Sequence, residues 1–134
     1  MKKRHAACSC GQLHLTCEGE PVRISLCHCL ECQRRTGGVF GVQAWFERSQ
    51  IPHIAGTSTR FVRASDSGNS VALEFCAVCG STVYWEAEGF PNLIAVAVGA
   101  FADPTFPAPK YSVWERGRHH WVERPFDLPI ERSD

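Results

Sequence analysis

Short runs in which apolar and polar residues alternate recur along the chain, each broken by glycine, proline, serine or asparagine. Leu13, Leu15 and Cys17 alternate with His14 and Thr16, and Val22, Ile24 and Leu26 with Arg23 and Ser25. A period of two sends successive side chains to opposite faces, so each run predicts a half-buried strand. Further strands are predicted over residues 39–46, 59–63, 70–75, 82–86 and 93–98. Gly19-Glu20-Pro21, Ser67-Gly68-Asn69 and Glu88-Gly89-Phe90-Pro91 read as turns, and Asp66-Ser67-Gly68-Asn69 as the loop of a hairpin. Only residues 30–35 have a helical composition, and that segment is short. The pattern predicts a mostly β domain with many brief strands and at most one helical turn.

Composition narrows the class. The 134 residues suit one domain, expected to span 1–134 with its core at about 8–122. Three prolines make residues 103–110 a stiff connection, and residues 124–134 read as a surface strap or partly disordered tail. Fourteen basic residues balance fourteen acidic ones, which excludes a strong overall attraction to nucleic acid or anionic lipid. No apolar stretch approaches the roughly 18 residues of a membrane span. The start, Lys2-Lys3-Arg4, reads as a solvated terminus with no apolar run after it, so the reducing cytoplasm is the expected compartment. There, clustered thiols bind metal or react more often than they pair as disulfides.

Eight cysteines supply the candidate chemistry, and seven of them fall in three clusters: Cys8 and Cys10; Cys27, Cys29 and Cys32; Cys76 and Cys79. A C-x-x-C turn brings two sulfurs onto one ion at about 2.3 Å, and Gly11 and Gly80 suit the residue where the chain turns away. Two pairs make a closed four-thiolate site of Cys8, Cys10, Cys76 and Cys79, whose expected role is structural. Cys27, Cys29 and Cys32 leave an odd count. Either the site stays open, as in catalytic zinc centres, or His28, Cys17 or a distant histidine closes it. His28, between two ligands on extended chain, points away from the ion and suits hydrogen bonding behind it. The spacing is not that of a ferredoxin.

Cys8-x-Cys10-Gly11, Cys27-His28-Cys29-x-x-Cys32-Gln33-Arg34-x-x-Gly37 and Phe75-Cys76-x-x-Cys79-Gly80-Ser81 together resemble the glutathione-dependent formaldehyde-activating (GFA) enzyme family, also called the centromere protein V (CENP-V) type. The likeness continues through Val98-Gly99-Ala100-Phe101-Ala102-Asp103-Pro104 and on to Trp121. Gly38 and Ala102 depart from it, standing where serine or another small residue, and an acidic residue, are common. The resemblance implies an Mss4-like fold of several small coiled antiparallel sheets held by zinc. It implies two zinc ions, one structural on Cys8, Cys10, Cys76 and Cys79, one catalytic on Cys27, Cys29 and Cys32. The implied activity is that of a carbon–sulfur lyase run in reverse, joining glutathione sulfur to formaldehyde as S-hydroxymethylglutathione. The expected partner is a small thiol or thiol adduct, without nucleic acid or membrane; a zinc-stabilised binding module without turnover is the alternative.

The remaining candidates are weaker. Arg34 and Arg35 could clamp glutathione carboxylates or form a solvated basic turn. Thr36-Gly37-Gly38 could present N–H groups to an anion, though a plain turn fits as well. Trp45, Phe46, Trp85, Trp114 and Trp121 read as core before pocket, His119-His120 as a surface pair, and Cys17 as a small buried hydrophobe.

Overall fold

The computed structural model describes residues 1–122 and 130–134. The chain is mostly β, with strands in two sheets and a single α-helix among the described residues. The strands are β1 (Lys3–Ala7), β2 (His14–Glu18), β3 (Arg23–Cys27), β4 (Gly41–Glu47), β5 (His53–Ala55), β6 (Ser58–Ala64), β7 (Ser70–Cys76), β8 (Thr82–Ala87), β9 (Leu93–Ala97), β10 (Tyr111–Val113) and β11 (Glu131–Arg132). The helix α1 covers Leu30–Thr36. β1, β2 and β5 form a three-stranded sheet; the other eight run in the order β11-β10-β3-β4-β9-β8-β7-β6. All neighbours are antiparallel except β10, which lies parallel to both β3 and β11.

The alternation read from the sequence becomes two layers of core. Leu13, just before β2, and Leu15 and Cys17 of β2 meet Ile24, Ala44, Phe46, Ile94 and Val96 from one face of the large sheet. The opposite face carries a second cluster of Trp45, Val71, Leu73, Trp85 and Ala95. Between Glu74 and Phe75 the partner on β8 jumps from Tyr84 to Thr82, leaving Val83 as the extra residue of a bulge. The bulge lets Val83 enter the first core although Trp85, two residues on, lies in the second.

The start of the chain is a strand and not a solvated terminus. β1 alternates exposed and buried residues, and Arg4, 7 % exposed, is a core position. Its guanidinium lies over Phe106, 5.1 Å from the ring centroid, and meets Glu20 at 3.1 Å. Charged residues at Lys2, Lys3 and Arg4 hide this alternation from a reading by polarity. Of the tail, residues 124–129 lie outside the described residues, while Glu131 and Arg132 pair with Tyr111 and Ser112.

Candidate metal centres and the cavity beside one of them

Cys8 directly follows β1 and Cys76 ends β7, and each leads into a tight turn carrying Cys10 or Cys79. Gly11 and Gly80 take φ of +83° and +82° as the chain leaves these turns, a conformation glycine adopts without strain. The four sulfurs lie within 4.8 Å of one another, with Cys8–Cys10 and Cys10–Cys76 both at 3.6 Å. A tetrahedron of bonds of about 2.3 Å has edges of about 3.8 Å, whereas a disulfide needs about 2.05 Å. The spacing fits four thiolates around one ion.

Donors favour the ionised form of Cys76 and Cys79, while at Cys10 the Gln12 backbone hydrogen bond is outweighed by burial and the neighbouring thiols, which push its pKa up to about 11. The N–H groups of Val78 and Cys79 donate to Cys76 Sγ at 3.3 Å each, Gln12 Nε2 at 3.0 Å, and the Leu13 N–H reaches Cys8 Sγ at 3.3 Å. Burial of the Cys76 thiol opposes ionisation, but the Cys79, Gln12 and Val78 donors bring its pKa down to about 7. Hydrogen bonding with the Ser81 side chain and its N–H, helped by the Cys10 N–H, holds Cys79 at about 5. Ser9 and Ser81, 3.1 Å apart, tie one turn to the other.

The second cluster sits where β3 gives way to α1. Cys27 ends β3, and Cys29 caps the helix, its sulfur accepting the Cys32 N–H at 3.2 Å. Cys32 is buried one turn later. The three sulfurs lie within 4.8 Å of one another, with no fourth Cys, His, Asp or Glu in the group among the described residues. Cys17 is fully buried in the first core and closes neither site. Hydrogen bonds from the Cys27 and Cys32 thiols, with the Arg63 charge assisting, hold Cys29 down at about 2, against the effect of burial. The hydrogen bonds to Cys29 and Cys32, together with burial, push Cys27 far up. Three thiols pressed this closely cannot all ionise without a cation among them, so the donor set suits a soft divalent ion.

His28 points away from the sulfurs and is 2 % exposed. Its Nε2 lies 3.1 Å from both Ser112 Oγ and Glu115 Oε2, and Ser112 donates to the same carboxylate oxygen. A carboxylate only accepts, so Nε2 carries the proton. Burial pushes the His28 pKa down, which makes this a neutral hydrogen bond and not an ion pair. Arg132 Nη1 meets Glu115 Oε1 at 3.2 Å, so β11 braces the loop that carries the ligands. Gln33 adds a second brace: Nε2 donates to the His28 and Gly117 carbonyls at 3.0 and 2.9 Å, and Oε1 meets His119 Nε2 at 2.9 Å.

A cavity of about 420 Å³ opens on the three-thiol cluster, lined by Cys27, Cys29 and Cys32. Register explains its make-up. On one face of the sheet, Arg23, Ser25 and Cys27 of β3 lie opposite Trp45, Gln43 and Gly41 of β4. Trp85 of β8 pairs with Ala95, which in turn pairs with Trp45. Arg63 of β6 also lines it, and both Arg63 Nε and Gln43 Oε1 are buried without a hydrogen-bond partner. Arg34 and Arg35 are not among the lining residues: Arg34 Nη1 donates to Glu31 at 2.6 Å, and Arg35 lies over the Trp85 ring at 4.2 Å. Trp45, Trp85 and Trp114 form part of the wall, Phe46 is core, and Trp121 is 61 % exposed. Sequence reasoning missed Gln43 and Arg63, because only strand pairing brings them to the cavity.

The chain belongs to the family of glutathione-dependent formaldehyde-activating enzymes, whose family model matches residues 3–117. The fold is similar to the crystal structure of a Rhodobacter sphaeroides protein, a structural genomics target, with a TM-score of 0.56 and 18 % identity. That match covers 97 % of this chain and 99 % of the other. No curated protein matches the chain.

Proposed function

We propose that this protein is a zinc enzyme of the cytoplasm that makes or breaks the carbon–sulfur bond of an adduct between a small thiol, such as glutathione, and a carbonyl compound, with formaldehyde as the model. One observation carries this reading: three thiols converge without a fourth protein ligand among the described residues, and they do so at the wall of a cavity large enough for a substrate. Family membership supports it at the level of glutathione-related activity. Cys8, Cys10, Cys76 and Cys79 take the structural zinc, and Cys27, Cys29 and Cys32 the catalytic one.

A zinc ion on three thiolates supplies a place for an incoming sulfur and keeps that sulfur ionised near neutral pH. The chain's own residues do the rest. The Cys32 N–H fixes the Cys29 sulfur, and Gln33 locks the helix start against the Gly117 turn. Glu115, Ser112 and Arg132 hold His28, and through it the backbone between Cys27 and Cys29. Trp45 and Trp85 line the cavity beside the three thiols and give a bound adduct an apolar wall.

Glutathione and formaldehyde combine unaided, so the test is acceleration. Exchange between formaldehyde and its glutathione adduct, followed by magnetisation transfer with labelled formaldehyde, should speed up with the zinc-loaded protein and not with Cys29→Ser. No acceleration over the variant, with the adduct nevertheless bound, would select the binding module over the enzyme.

A further inference from the structure

The cavity is far larger and more apolar than a one-carbon carbonyl needs. Trp45, Val71, Trp85, Phe90 and Leu93 line it beside the three thiols, and the Trp45 and Phe90 rings lie 5.2 Å apart at 57°. About 420 Å³ falls in the range of pockets that enclose whole ligands, with apolar walls and a few placed polar atoms. The polar atoms are also present. Gln43 is 6 % exposed, and its Oε1 is buried without a partner. It stands diagonally across β3 and β4 from Cys27, a separation of about 7–8 Å of which its side chain can cover about half. Gly41, directly opposite Cys27, has no side chain, and the Arg35 guanidinium fills the space over it, its Nη2 buried without a partner. A hydroxyl on the carbon joined to the sulfur would give Gln43 the donor it lacks.

We infer that the carbonyl partner taken by this cavity is an apolar, preferably aromatic, aldehyde, bound as a thiol adduct with its ring among Trp45, Trp85 and Phe90 and its hydroxyl on Gln43. The inference rests on the thiol-adduct reading and adds the class of the carbon partner. The carboxylates of a peptide thiol find no donor on the Val71, Phe90 and Leu93 wall, whereas Arg23 and Arg63 line the cavity elsewhere. The place of the peptide body is the polar margin that Ser65, Ser67 and Asn69 give the same cavity.

The test compares two stable thioethers of one thiol, S-benzylglutathione and S-methylglutathione, bound to the zinc-loaded protein. Three of the four tryptophans line the cavity, so quenching of tryptophan fluorescence reports occupancy without turnover. Burying a phenyl ring should make the benzyl compound bind about ten- to hundredfold tighter. Phe90→Ala, at a half-exposed position that folding tolerates, should narrow that gap several-fold. Equal affinity for the two, or a gap that Phe90→Ala leaves intact, overturns the aromatic preference and leaves the thiol-adduct reading standing. Failure of either compound, and of glutathione itself, to bind at all would overturn both.

Discussion

Glu115 shows how one side chain can serve a centre it does not touch. Burial would raise its pKa, but the Ser112 hydroxyl, Arg132 and the imidazole of His28 hold it below the usual carboxylate range. A carboxylate with a depressed folded pKa adds stability above its unfolded value and loses it as pH falls through the folded one. Wild type should therefore exceed Glu115→Gln in chemical denaturation at pH 6–7 by about 1–3 kcal/mol, the loss expected when a charged hydrogen-bond acceptor is removed. The difference should shrink once pH drops below about 4.3. A gap independent of pH would show that the carboxylate charge is not what braces His28. Gln43 is the second such residue. Gln43→Met keeps the bulk and removes the acceptor, and should weaken a hydroxyl-bearing adduct about tenfold relative to a thioether, as competitive fluorescence titration can measure. The cysteine clusters were legible because their ligands lie two or three residues apart, where local chain geometry alone brings sulfurs together. Gln43 and Arg63 were not, since their relation to Cys27 and Cys29 exists only after strands far apart in sequence have paired.

At the scale of elements, apolar runs marked β2, β3, β4 and β7 to β9, while β6, almost wholly exposed, was marked by its β-branched and aromatic residues. β1, β5, β10 and β11 escaped for physical reasons. β1 buries an arginine, β5 and β10 are three residues long, and β11 spans two residues held by its parallel neighbour. The short helix at 30–36 was legible, though its role as the frame for Cys29 and Cys32 depends on the Gly117 turn packed beneath it. A Cβ on Gly117 would run into the His28 carbonyl oxygen, to which Gln33 also donates. Gly117→Ala should therefore push the 27–29 loop aside, at a cost of about 1–3 kcal/mol. The expected result is a metal affinity at least tenfold weaker at the three-thiol site and unchanged at the four-thiol site, read by chelator competition. Equal weakening at both would mean that the strain spreads through the whole fold.

Across the whole molecule, the two centres stand in different relations to the fold. Cys8 and Cys10 follow the first strand of the small sheet, and Cys76 ends β7 of the large one with Cys79 just beyond, so an ion there clamps the two sheets together. Such an ion contributes on the order of 10 kcal/mol, comparable to the stability of an entire small domain. Cys27, Cys29 and Cys32 lie close in sequence on one strand end and one helix, so an ion there joins no distant parts. Cys79→Ser should unfold the protein, and Cys29→Ser should lose one metal and keep its circular dichroism. The measurement closest to the central claim is a titration of the cobalt-substituted protein with glutathione, followed in the visible region. Two cobalt ions per chain should bind, and glutathione should shift the ligand-field bands of one of them while the other, and the fold, stay as they were. A single ion per chain, or two whose spectra glutathione leaves unchanged, would contradict the division into a closed structural centre and an open reactive one.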